Sequence, residues 1–141
     1  MPTSRLVREA MPGERDLATL VSGLTVGRRP GRFTLVTLDH PVALGDGVEA
    51  LIAEAEGVTA VTTVETAIDR GWQHHFDGAW LTLEVHSSLE AVGLTAVVSA
   101  ALAERGIACN VLAGYFHDHL LVPSARAEDA VAVLEHLRAD N

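Results

Sequence analysis

The sequence predicts an α+β fold, an antiparallel sheet with helices on one face, and three observations carry that prediction. Residues Trp80 to Pro123 read as a strand, a helix and a two-strand hairpin in one unbroken run. A further helix, with an apolar stripe at three- and four-residue spacing, follows at once. From Phe33 onward the first half alternates short β-rich segments with turn residues, a pattern of strands rather than of a helical bundle.

Glu14 to Gly23 sets Leu17, Leu20 and Val21 at helical spacing and stops on glycine, so one short helix is expected, after a polar stretch to about Ala10 expected to fray. Turn residues fill the run GRRPGR. Phe33 to Leu38 (FTLVTL) then alternates and is rich in β-formers, a strand ended by Asp39-His40-Pro41. Val48 to Glu56 fits a short helix or a strand. Gly57 breaks it, Val58 to Val64 reads as a strand, and Glu65 to Arg70 as a short helix stopped by Gly71. Trp72 to Gly78 connects the halves.

In the second half, Trp80 to Val85 is a strand with Leu81, Leu83 and Val85 on one face. Leu94, Val97, Val98, Ala101 and Leu102 form the apolar face of an amphipathic helix that Gly106 stops. Ile107 to Gly114 and Asp118 to Val122 are the hairpin strands, and Pro123-Ser124 opens a final helix with Ala127, Ala130, Val131, Leu134 and Leu137 as its buried stripe. The order β-α-β-β-α is one strand short of the β-α-β-β-α-β ferredoxin-like unit. Another segment must cover that sheet edge, so the halves are expected to share a strand or to pair edge to edge.

With 141 residues, 48% hydrophobic and 21% charged, the chain has the composition of one ordinary globular domain or two very small ones. Its formal charge of −9, nineteen acids against ten bases that are all Arg, argues against nucleic acid and anionic membranes as partners. The single Cys109 excludes an internal disulfide and fits a reducing cytoplasm. No stretch approaches the roughly 20 apolar residues of a membrane span, and the first residues lack the apolar core of a signal peptide.

Chemistry concentrates in the loop from His86 to Gly93. A helix start leaves N–H groups unpaired and carries partial positive charge, so Ser87, Ser88, Leu89, Gly93 and Leu94 make a candidate site for a small anion such as a carboxylate. Glu90 would then receive a ligand ammonium or guanidinium group. The competing reading makes Ser87 or Ser88 simply the helix N-cap, worth about 1 kcal/mol, with Gly93 a packing contact. Asn110, on an otherwise apolar strand, must find backbone or ligand partners if buried, since an unsatisfied polar group costs about 1–3 kcal/mol. His117 and His119 would share a strand face, with His86 as a third candidate metal ligand, but a solvated hairpin corner explains the His-Asp-His run better and no metal is assigned. Cys109 reads as core. No nucleophile triad, phosphate loop or dinucleotide fingerprint is present.

On the runs SSLEAVGLTA, GI-x-CNV and HDHLLVP, the chain resembles bacterial ACT-domain proteins of the small two-module type, closely over Trp80 to Leu137 and more loosely over residues 14–76, through GRFTLVTL and EGVT. The resemblance implies ferredoxin-like ACT modules in tandem, residues 1–76 a degenerate module and 77–141 a second one. It also implies regulatory binding of an amino acid or related small ligand, commonly at the strand-to-helix loop and at an interface between modules. Gly93 matches the loop glycine of that family, whereas SSLEAVG stands where better-characterised members carry an acidic residue and a Pro-Gly pair. Asn110 stands near, but displaced from, an Asn that contacts the bound amino acid in several members.

The resulting expectation is a non-catalytic, cofactor-free, cytoplasmic regulatory protein that binds an amino acid through Ser87, Ser88, Leu89, Glu90, Gly93, Leu94 and Asn110. The rival from another class is an interaction module whose unpaired edge takes a partner or a second copy, making a homodimer. A metal-assisted enzyme around His86, His117 and His119 is the third reading.

Overall fold

A computed structural model describes residues 13–140, so the fraying expected up to Ala10 lies outside the described residues. Helix α1 (Leu17–Ser22) begins at Asp16, whose carboxylate accepts the Thr19 N–H at 2.9 Å, and ends at Gly23. Strand β1 (Val26–Arg28) follows, a correction to the turn expected for GRRPGR: three residues too short to show alternation become a strand because they pair with a distant one. Strands β2 (Phe33–Leu38), β3 (Val48–Glu54) and β4 (Gly57–Thr63) lead to α2 (Val64–Asp69), capped by the Thr63 hydroxyl. The ambiguous segment after Val48 is therefore a strand, turned back on β4 across Ala55-Glu56.

The second half contains β5 (Gly78–Leu83), α3 (Leu94–Glu104), β6 (Asn110–Ala113), β7 (Asp118–Pro123), a short 3₁₀ turn (Ser124–Arg126) and α4 (Ala127–Ala139). Two expectations shorten. The strand expected from Ile107 starts only at Asn110, and Val85 lies beyond the end of β5.

Among the described residues all strands join one antiparallel seven-stranded sheet, β3-β4-β2-β5-β7-β6, with β1 also on β5. The missing ferredoxin strand of the second half is thus β1, which runs Val26↔Leu83 to Arg28↔Leu81 along β5. The shared edge expected from the strand count is present. Helix α1 crosses over as well: Leu20, Val21 and Leu24 pack with Leu94, Val98 and Leu102 of α3, with Ala130 and Leu134 of α4, and with Leu81, Leu83 and Leu120 of the sheet. β2 meets β5 only at Phe33↔Gly78, where the first half's strands branch away.

Among the described residues, register and alternation put every helix on one face. There the first half has a smaller core of Val36, Val48, Ala60 and Ala67 under α2. The opposite face carries a second cluster, Phe33 and Val61 of the first half with Trp80 and Leu121 of the second, all buried, with Leu35, Phe76 and Leu112 packed against them. At that junction the Phe33 and Trp80 rings meet edge to face at 5.4 Å. Asp77 adds a polar clamp: it takes Arg32 from the first half and the Ser124 hydroxyl, at 2.5 Å, from the second. The Ser124 bond, first, and Arg32 hold its carboxyl below the usual range.

Candidate functional site

The loop between β5 and α3 is held by the first half. Glu14 N–H donates to the His86 carbonyl at 2.7 Å and Ser88 N–H donates to the Glu14 carbonyl at 2.8 Å, a parallel bridge centred on Ser87. Gly13 allows it, since a Cβ there would collide with the His86 carbonyl. Ser88 Oγ then accepts the Glu90 N–H at 3.1 Å, closing a local turn.

The helix does not start at the serines. Gly93 is the residue before α3, in the left-handed region at φ 104°, and supplies no side-chain cap. This corrects the N-cap reading of Ser87 and Ser88, which bond within the loop and toward Asp118 instead. Glycine suits the place twice, by its positive φ and because a Cβ would lie 3.1 Å from Leu17 of α1. The first helical bond closes from Val97 N–H to the Gly93 carbonyl, so the opening N–H groups have no intrahelical partner.

A cleft of about 200 Å³ opens at this point, bounded by Ser87, Ser88 and Leu89 of the loop, Leu94 and Thr95 of α3, and Ala113, Gly114 and Asp118 of the hairpin. Asp118 reaches it through register: it pairs with Leu83, the last residue of β5, and so stands beside the loop that follows. On the loop's other side a cleft of about 260 Å³ is bounded by Gly13, His86, Glu90 and Tyr115 with the same two serines. The His86 ring lies 5.2 Å from Phe116 and 6.1 Å from Tyr115.

Of the residues singled out in the sequence, Ser87, Ser88, Leu89 and Leu94 meet in the first cleft, and Gly93 sets the helix end behind it. Glu90 lines the second cleft, mostly exposed and 3.8 Å from Arg15. Asn110 is not brought to the loop. It sits at the far end of β6, about 10 Å along the strand from Ala113, exposed, with its amide donating to the Leu121 carbonyl at 3.5 Å. Thr95 carries no signal in the sequence, and Asp118 stands out there only within the His-Asp-His run of the hairpin corner, not as a ligand contact.

The three histidines take separate partners, contrary to the metal reading. His86 packs on the aromatic pair, His117 Nδ1 lies 3.4 Å from the Val85 carbonyl, and His119 faces Trp80 and Thr82. Among the described residues no group of three or more His, Cys, Asp or Glu could hold a metal ion. Burial raises the Cys109 thiol above its ordinary pKa, which keeps it protonated and weakly nucleophilic.

An antiparallel sheet with the described helices on one face, built from two interlocked ferredoxin-like halves, defines a tandem ferredoxin-like architecture. ACT-domain profiles match residues 12–78 and 76–136. The chain is 36% identical to a Vibrio cholerae protein of unknown function described as a possible transport protein, over 86% of this chain and 95% of that one, with a TM-score of 0.76. The chain belongs to the ACT-domain family. An Agrobacterium tumefaciens protein, Atu0741, shares the fold at 18% identity and TM-score 0.65, over 82% of this chain and 89% of that one. The ligand-free regulatory subunit of aspartate kinase from Thermus thermophilus shares it at 12% identity and TM-score 0.60, over 79% and 95%. No curated protein matches the chain. Membership in the family supports a small-ligand regulatory role in general. Among the described residues no helix is long and apolar enough to cross a membrane.

Proposed function

We propose that the chain is a non-catalytic cytoplasmic regulator that binds an amino acid in the cleft between Ser87 and Asp118. One observation carries the reading: a single cleft of about 200 Å³ holds the uncapped start of α3 and a carboxylate, Asp118. The ligand carboxylate meets the N–H groups of Leu94 and Thr95, and its ammonium meets Asp118. The helix end contributes about 0.3–1 kcal/mol and a part-exposed ion pair about as much. Both together fall short of the roughly 4 kcal/mol of a millimolar complex, so the ligand side chain supplies the rest against Leu89, Leu94 and Ala113. On this reading residues 77–141 hold the ligand, and residues 1–76, through Glu14 and α1, sense the loop.

Thermal-shift measurements against the twenty amino acids test it. A ligand at ten times its Kd stabilises by about 1.4 kcal/mol, a rise of roughly 3–5 °C for a chain of this size, and Asp118→Asn, which removes the ion pair, lowers the rise at the same concentration by about a fifth to a half. A folded protein that no amino acid stabilises at 10 mM, a concentration above the roughly millimolar Kd expected, sinks the proposal.

A second reading rests on the outer edge of β6, which no other strand of the described residues pairs, beside exposed Val111, Leu89, Val92, Tyr115 and Phe116. A second copy pairing there would make a homodimer with the cleft at its border. A strict monomer by light scattering, with and without ligand, removes it.

A further inference from the structure

His119 stands on the helix-free face of β7, opposite Thr82 of β5 and Leu112 of β6. Its Nδ1 lies 3.2 Å from the Trp80 indole nitrogen and 2.9 Å from the Thr82 hydroxyl. An indole N–H can only donate, so Nδ1 presents its lone pair and the neutral ring carries its proton on Nε2. Trp80 is 3% exposed.

The indole is also what the first half grips. Phe33 packs against its ring, the Arg29 guanidinium sits 4.0 Å from the ring centroid, and Arg29 is ion-paired with Glu49, the extra residue of the bulge in β3. One imidazole lone pair therefore anchors the side chain through which the two halves meet. A proton on Nδ1 would turn N–H against N–H. The Thr82 hydroxyl can rotate and accept that proton in a hydrogen bond; the indole has no such alternative.

The surroundings oppose the charged form. From β5 His119 faces uncharged Thr82 and Trp80, from β6 Leu112, from the end of β1 the cation Arg29, and along its own segment His117 and Asp118. Burial, first, then Arg29 and His117 push the imidazole below its ordinary value, and only Asp118 pulls the other way.

We propose that His119 is a proton-operated latch on the junction between the two halves: neutral, it holds the Trp80 indole against Phe33; protonated, it releases the indole and the halves loosen. The sign follows from linkage. An imidazole that titrates lower in the folded chain than its ordinary 6.5 contributes fully above that pH. The contribution is lost as pH falls from there to the folded pKa, and stays level below it.

Nitrogen-15 spectra of the imidazoles and indoles in the full chain test the latch. At pH 7.5 the His119 ring is expected neutral with its proton on Nε2, and between pH 7.5 and 5 the protection factor of the Trp80 indole N–H is expected to fall about tenfold, as befits a buried donor losing its acceptor. His119→Gln, whose amide oxygen accepts the indole without titrating, removes the fall. A proton on Nδ1 at pH 7.5, a His119 pKa at or above the ordinary value, or the same fall in His119→Gln overturns the proposal. Should that variant fail to fold, the tautomer and pKa in the unaltered chain decide.

Discussion

The two halves of the sheet are built to the same plan and stabilised unequally. The second has three helices over its strands, with Leu81, Leu83, Leu102, Leu120 and Leu134 at or near zero exposure. Among the described residues the first has one six-residue helix over a core of Val36, Val48, Ala60 and Ala67, and between β2 and β3, where a ferredoxin unit would place a helix, it has only a loop with Gly45, Asp46 and Gly47 in the left-handed region. The difference has a cause in the chain order. Residues 17–28, which precede the first half's own strands, are α1 and β1, and both serve the second half. A half that gives away a helix and a strand keeps only a small core of its own and adds to it the junction around Trp80.

That asymmetry can be broken from the larger core outward. Leu81→Ala should cost about 2–5 kcal/mol and unfold the whole chain in one transition, as a shift in urea midpoint would register. Leu20→Ala, although it lies in the first half of the sequence, should cost about 2–4 kcal/mol and lower hydrogen-exchange protection first in α3 and α4. Protection lost first in β3 and β4 would mean that α1 does not belong where its packing puts it. Thr63→Ala removes the α2 cap, whose hydroxyl accepts the Thr66 N–H at 3.1 Å, and should cost about 1 kcal/mol, confined to exchange in α2.

Much of the fold was legible because most elements carry a local pattern that announces them. FTLVTL appears as the strand Phe33–Leu38, and the stripe from Leu94 to Leu102 buries Leu94, Val98 and Leu102 as spacing required. What was illegible is what depends on partners distant in sequence. Val26–Arg28 contains a glycine and an arginine and has no strand signature of its own; β5 makes it a strand. The start of α3 was misplaced because serines are common caps, whereas here a left-handed glycine opens the helix. The loop's position was legible and its company was not: the Leu83↔Asp118 register brings Asp118 to the cleft, and Asn110↔Leu121 keeps Asn110 at the other end of the strand.

The most direct test of the account is amide chemical-shift mapping of the full chain during titration with the amino acid that stabilises it most. The account predicts the largest shifts at Leu94 and Thr95, with Ser87, Ser88 and Asp118 next and Asn110 unmoved, and a titration in Asp118→Asn that needs about two- to fivefold more ligand. Shifts centred on Asn110, or on the first half with the α3 start unmoved, would contradict it.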